Sequence, residues 1–412
     1  MIRPIVYKII ILLIVALMIV ACEGQPSSQV QSSTTATARP TLQPTTQIQP
    51  TERPPTSLPT TRPTAQPTQA PSAAPTQQPS PTAQLAANQR VLFIRSQLKG
   101  QSELWSAALD GSDLHSIIAC PNGCSMGILV PSPDGSQIAY LAQPPGAMPE
   151  IRIVRADGSD DRRLDTSGML APGAFSPDSS QIAFLRSRQA DTPIGSENSI
   201  WIVPTAGGEP RQVSPWYSIV SVPAWADNEH LLYAANESFA ASEQIYRIGR
   251  QAGADPELLT RGSLAALSPD GSKLLVRLDF SDDITPDTRF AHAVVAINEP
   301  SQTLATLQLR PGEYAFSPDS SRLAISSNYG DVQVVDASSG RETLLRPAPQ
   351  GKSAPYLSAI TWSRDGRSVI YSGQGSGPKA AFEVRRLDVD GSGEQVLLEL
   401  PLGSGSTFAL MP

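Results

Sequence analysis

Ser132-Pro133-Asp134-Gly135-Ser136 is the first of four near-identical phrases in this chain. Ser176-Pro177-Asp178-Ser179-Ser180, Ser268-Pro269-Asp270-Gly271-Ser272 and Ser317-Pro318-Asp319-Ser320-Ser321 are the others. Looser copies stand at Ala226-Asp227-Asn228-Glu229-His230 and Ser363-Arg364-Asp365-Gly366-Arg367. Their first residues step by 44, 50, 42, 49 and 46 along the chain, a period that marks a repeat architecture built of blades. Proline presets φ for a turn, the aspartate accepts backbone N–H groups, and glycine or serine takes the tight reversal that follows.

Each phrase sits between two short apolar runs, for example Gly173-Ala174-Phe175 before and Gln181-Ile182-Ala183-Phe184-Leu185 after. A second turn follows about 25 residues later in the repeat; it reads Leu109-Asp110-Gly111-Ser112, Ala156-Asp157-Gly158-Ser159, Ala206-Gly207-Gly208-Glu209, Ala337-Ser338-Ser339-Gly340 and Val389-Asp390-Gly391-Ser392. Runs such as Ile200-Trp201-Ile202-Val203 precede it and short runs such as Glu394 to Leu398 follow it. The pattern predicts four hairpin-linked strands per repeat, one propeller blade.

The chain ends fix the number of blades. Arg90-Val91-Leu92-Phe93-Ile94-Arg95-Ser96 matches Gln181 to Ser187 but has no inner strand before it. Phe408-Ala409-Leu410-Met411-Pro412 aligns with Leu264 to Ser268 and stops where a turn phrase would begin. The expectation is therefore an all-β chain: a seven-bladed β-propeller of four-stranded antiparallel blades, the C-terminal strand closing the first blade.

Composition separates this body, residues 88–412, from what precedes it. Of 412 residues 39 are proline, and thirteen of these lie between Gln25 and Ala87. That stretch of Pro, Thr, Ser, Gln and Ala has no apolar periodicity, so it cannot bury enough surface to offset its ordering entropy; residues 22–87 read as a disordered tether. Residues 1–21 read as an export signal, with Arg3 and Lys8 ahead of the twelve-residue apolar run Ile9 to Val20, short for a membrane span. The junction Ile19-Val20-Ala21-Cys22 resembles the lipobox of bacterial lipoproteins, which implies cleavage before Cys22, its lipidation, and a lipid-anchored protein facing the outside of a bacterial cell membrane. The body keeps 26 basic and 36 acidic residues, and this excess of negative charge argues against a nucleic-acid partner.

The Pro-Asp phrases resemble the WD40-like repeats, also called PD40 repeats, of the TolB family, over the whole body. The resemblance implies binding of a protein or glycan on a propeller face. The chain departs from TolB itself in having a lipobox and tether where that family has an α/β domain.

Nothing in the sequence points to catalysis. There is no Gly-x-Ser-x-Gly, and the repeat turns are not the Ser-x-Asp-x-Gly-x-x-Trp boxes of sialidases. His115, His230 and His292 show no metal-ligand spacing, Asp388 to Ser392 lacks the later glutamate of a calcium loop, and Asp279, Asp282, Asp283 and Asp287 read as a solvated loop. No metal or other cofactor is expected. Cys120 and Cys124 enclose Pro121-Asn122-Gly123, a turn that can bring them together, and in an exported protein they read as a disulfide. The alternative function, a propeller lyase or hydrolase acting on glycan or peptide, requires acid and base groups converging in the central funnel.

The binding face follows from loop lengths. Both recurring turns follow odd-numbered strands of a blade and share one face; the loops after the second and fourth strands share the other. The latter vary in length and composition, which suits recognition on a rigid ring. The candidate ligand-binding residues there are Arg186, Arg188, Trp216, Tyr217, Arg289, Arg310 and Tyr356, since aromatics and arginine dominate binding hot spots.

Overall fold

The computed structural model describes residues 89–96, 101–109, 111–165, 169–190, 195–236, 243–278, 288–348, 357–374, 382–400 and 408–411. Residues 1–88, with the export signal, Cys22 and the tether, lie outside that set, as do Tyr356 and the acidic loop at 279–287.

Seven antiparallel sheets make up the described chain. Blade 2 contains Ser125–Pro131, Gln137–Gln143, Glu150–Arg155 and Arg162–Asp165, in order from the inner to the outer strand. The blades that follow repeat this order, each beginning with its own inner strand, and only the inner strand of blade 4 is split, into Ile219–Val220 and Ala224–Trp225. Blade 1 is composite. Phe408–Met411 pairs antiparallel with Arg90–Ser96, Arg90 opposite Met411 and Phe93 opposite Phe408, and Ser102–Ala108 and His115–Ala119 complete the sheet. The expected fold and its closure are both present.

The second strand of each blade is apolar at consecutive positions because both faces of every sheet are covered. In Gln137–Gln143, Ile138 and Tyr140 pack toward blade 1 while Ala139 packs toward blade 3. Seven hydrophobic clusters result, one at each joint between neighbouring blades, including blade 7 with blade 1 through Val91, Phe93, Ile370, Val384 and Leu397.

Two devices align these joints. The first is a β-bulge in the outer strand. In six blades the register skips one residue there: Ile117, Leu164, Leu259, Leu304, Leu345 and Leu397. In blade 3 the N–H groups of Val213 and Ser214 both donate to the Ile200 carbonyl, so Val213 holds the same place. Every one of these extra residues is apolar and joins the cluster shared with the next blade. The bulge thus turns one additional side chain into the joint. The next blade's second turn then closes over the bulge: a Cβ built on Gly158 would lie 2.4 Å from the Ile117 carbonyl oxygen, and one on Gly111 2.4 Å from that of Leu397.

The second device links the Pro-Asp turns. The Asp134 N–H donates to the Ser179 hydroxyl of the next blade, Asp178 N–H to the Asn228 side-chain carbonyl, Asp270 N–H to the Ser320 hydroxyl, and Arg364 N–H to the Gln89 side-chain carbonyl across the ring closure. In five of the six phrases the fourth residue is left-handed: Gly135, Gly271 and Gly366 at φ 66 to 70°, but also Ser179 and Ser320 at 60° and 58°. The two serines occupy backbone that favours glycine, and their hydroxyls receive the link from the preceding blade. Within each turn the aspartate is locked as well. Asp178 accepts from the Ser176 hydroxyl at 2.6 Å and from the Ser180 N–H at 3.0 Å, which holds its carboxyl below the usual range.

Deleting Ser406 to Pro412 removes the inner strand of blade 1 and bares the edge of Arg90–Ser96, so thermal melting should fall steeply or the protein should aggregate. A truncated chain that melts with the parent would refute closure through this strand. Gly158→Ala, which meets a carbonyl at positive φ, should cost on the order of 2 kcal/mol or more in chemical denaturation. Gly146→Ala, also at positive φ but with nothing within 4 Å, should cost only about 1 kcal/mol.

Candidate ligand-binding face

Strand order places the Pro-Asp turns and the second turns on one face of the ring. The connections after second and fourth strands lie on the opposite face. On that opposite face the described residues that stand out gather on blade 3. Its second and third strands, Gln181–Gln189 and Ser196–Pro204, are nine residues each, against seven and six in blade 2. The hairpin therefore projects by about two residues, roughly 7 Å.

Cross-strand register makes a ladder on this hairpin: Phe184 opposite Trp201, Arg186 opposite Ser199, Arg188 opposite Glu197. The Arg186 guanidinium lies 3.9 Å from the centre of the Trp201 ring. Arg188 accepts nothing and donates twice, at 3.0 and 2.7 Å, to one oxygen of Glu197, while its guanidinium covers the Trp216 ring at 4.3 Å. Trp216 arrives from the loop after the fourth strand, because Tyr217 pairs through its backbone with Asn198. Sequence reading singled out these arginines and Trp216 one by one; the structure brings Arg188 and Trp216 into one stack, with Arg186 on the same strand.

The other candidates are placed differently. Tyr217 is buried, its ring 5.9 Å from Tyr233 and 6.0 Å from Tyr246, and its hydroxyl lies 3.1 Å from that of Tyr233. It packs blade 3 against blade 4 and offers no surface to a ligand. Arg310 is paired at 3.1 Å with the buried Asp331. Arg289 is exposed, donating to the Gln308 carbonyl at 2.7 Å and pairing with Glu342 of blade 6 at 3.3 Å. Cys120 and Cys124 form a disulfide, Cα atoms 5.3 Å apart, in the connection from blade 1 to blade 2 on the same face. Both cysteines are buried, and the loop is tied to Ser102 by hydrogen bonds in each direction.

The titratable groups are dispersed. His115 and His230 are exposed and lie against Asp113 and Asp227 respectively. His292 is wholly buried between blades 5 and 6, its Nδ1 against the Phe290 carbonyl and its ring 5.1 Å from Tyr314. Among the described residues no group of three or more His, Cys, Asp or Glu side chains is arranged to hold a metal ion. Two polar networks escaped sequence reading because their members are distant in the chain. Tyr140 donates to Asp161 at 2.7 Å, and Arg152 joins Tyr140, Asp161 and Glu150. Tyr371, Glu394, Arg385 and Glu383 repeat the arrangement in blade 7. Burial, and after it the acceptor carboxylate, push both phenols far above their ordinary range, so neither serves as a base. Glu313 was also missed. It stands on the inner strand of blade 6, exposed to solvent yet walled by protein, and this partial desolvation pushes its carboxyl up.

No family model matches the sequence, and no curated protein matches it. Solved structures do. The chain is similar to the β-propeller domain of the Trilobed protease from Pyrococcus furiosus, with a TM-score of 0.52 at 12% identity, over 75% of this chain and 93% of that one. That domain is described with an open velcro topology, whereas here Phe408–Met411 pairs with Arg90–Ser96. An oligogalacturonate lyase in complex with manganese aligns with a TM-score of 0.52 at 9% identity, over 68% and 87% of the two chains. TolB from Acinetobacter baumannii aligns with a TM-score of 0.48 at 15% identity, over 79% and 67%.

Burial and, secondarily, the nearby Arg277 charge hold the His292 imidazole below its ordinary value of 6.5, with the Phe290 carbonyl opposing. The folded state therefore binds this proton less readily than the unfolded chain, and stability should fall as pH drops below about 6.5. His292→Leu should flatten that part of the pH profile of thermal melting; an unchanged slope would show that His292 is not its source. The fold is a seven-bladed β-propeller, and likenesses at this level of identity carry the fold alone.

Proposed function

We propose that this chain is a membrane-tethered, extracytoplasmic binding module that holds a protein or glycan ligand without catalysis. In this reading Cys22 is lipidated after removal of residues 1–21, residues 22–87 are the spacer, and the ring presents the face that carries Arg188 and Trp216. One observation carries the choice of face. The Pro-Asp turns and second turns are linked blade to blade by hydrogen bonds and by glycine–carbonyl contacts, so they cannot vary without disturbing a joint. The opposite connections are free of that duty, and on them an arginine and a tryptophan stack in a projecting hairpin. Aromatic and arginine side chains on a rigid scaffold are suited to anchoring a partner.

Catalysis in the funnel, the alternative, needs an acid–base pair on neighbouring inner strands. Among the described residues the inner strands carry one carboxylate, Glu313. The likeness to a lyase and to the propeller domain of a protease supplies no such pair.

Arg188→Ala, Trp216→Ala and Arg289→Ala should each reduce capture of the ligand by the full-length protein about tenfold without moving the melting temperature. Asp157→Asn, in a turn on the other face, should leave capture intact. The reverse result would put the binding face on the wrong side of the ring. Cys22→Ser should release the protein from membranes, and unchanged lipid labelling in that variant would refute the anchor.

A further inference from the structure

The inner strands of the seven blades, from Ser125–Pro131 round to Phe408–Met411, contain a single charged residue, Glu313. Each inner strand is hydrogen-bonded on one edge only, and neighbouring blades cover its faces, so its exposed side chains front the axial channel. Glu313 is exposed, and among the described residues no cation or donor pairs with it. The register sets it directly opposite Ser326 on the second strand, with both side chains on the same face of the sheet. The Ser326 hydroxyl is fully buried and has no hydrogen-bond partner. A buried hydroxyl and a desolvated carboxylate left unsatisfied side by side both cost stability, which a ligand would recover.

The other inner strands bring no charge: on blade 2 the exposed residues are the polar but uncharged Ser125 and the aliphatic Ile128. Ile128 on the inner strand of blade 2 and Val222 in the break between the two inner segments of blade 4 are 39% and 49% accessible, both aliphatic side chains. Ile128 holds a φ of 44°, in left-handed backbone that a β-branched residue rarely adopts, at the point where its strand bulges. A channel with aliphatic walls and one carboxylate selects a ligand with an alkyl stem and a compact positive head. The groups at blade 6 include several acceptors: a carboxylate, a hydroxyl lone pair, and the carbonyls that alternate with N–H groups on the free edge of Gly312–Phe316. An ammonium, with three donors on a point charge, satisfies such a set better than a planar guanidinium, which needs matched acceptors in one plane.

We propose that Glu313 and Ser326 form a subsite for a primary alkylammonium group entering the axial channel, with Ile128 and Val222 lining the path of its alkyl chain. The site deepens the binding function proposed above and rests on it. Two sources present this chemistry, the lysine side chain of a partner protein and a free polyamine.

The test titrates n-hexylammonium and its neutral counterpart 1-hexanol into the full-length protein by calorimetry. The amine should bind, Glu313→Gln should weaken it about tenfold, and 1-hexanol should bind more weakly and be indifferent to that change. Ser326→Ala should weaken the amine several-fold while leaving the melting temperature equal or higher, since it removes an unsatisfied buried hydroxyl. A blocked Gly-Lys-Gly peptide binding more tightly than spermidine assigns the site to a partner's lysine, and the opposite order to a free polyamine. No binding of the amine, or equal binding by the parent and Glu313→Gln, overturns the subsite. If that happens while Trp216→Ala still weakens ligand capture about tenfold, the docking face stands and only the channel site fails.

Discussion

A four-stranded blade has two apolar faces and no core of its own, so the joint between blades is the unit on which this molecule depends. Each joint is built the same way. Alternate residues of the second strand face opposite neighbours, a bulged outer strand adds one aliphatic residue, and the next blade's turn packs on the bulge. At Gly111 and Gly158 that turn has to be glycine for two reasons, a left-handed backbone and a carbonyl where Cβ would stand. No joint is complete without the blade on either side. The ring must therefore close, and it closes by giving the N-terminal strand an inner neighbour from the far end of the chain.

This closure also decides how the first described strand is held. The strand that receives the N-terminal segment, Arg90–Ser96, is an interior strand, paired along seven positions on one side and four on the other. The Gln89 link to the blade 7 turn lies at the same point and joins residues 275 apart in sequence.

The same joints account for the division of labour between the faces. Turns that link neighbouring blades are short and mostly built of Asp, Ser and Gly, and their aspartates are stabilised as anions by the turn itself. With partial burial opposing, hydrogen bonds from Ser268 and Ser272 hold Asp270 at about 2. Connections on the other face meet no such constraint. There blade 3 extends its hairpin and stacks arginine on tryptophan, and the disulfide of Cys120 and Cys124 stiffens the passage from blade 1 to blade 2. The axial channel is a third surface, and Glu313 is the one charged residue on the inner strands that line it.

The repeat phrases, together with the strand-like runs at the two chain ends, determined the number of blades, the strand order and the closure, because a turn built on proline, aspartate and a left-handed residue writes itself in the sequence at most copies. The disulfide was legible for the same local reason. The bulges were not: one extra residue in a short apolar strand leaves no signature in a pattern that already reads Leu-Leu or Ile-Ile, as at Leu258-Leu259, Leu344-Leu345 and Ile117-Ile118. Nor was the fate of the aromatic pair at 216 and 217. Two adjacent residues on an extended backbone point to opposite sides, and only the packed ring decided that Trp216 meets Arg188 while Tyr217 turns into the joint with blade 4. Glu313 was hidden in the same way, since a single carboxylate in an apolar strand acquires meaning only when seven such strands surround one axis and the other six bring no charge to it.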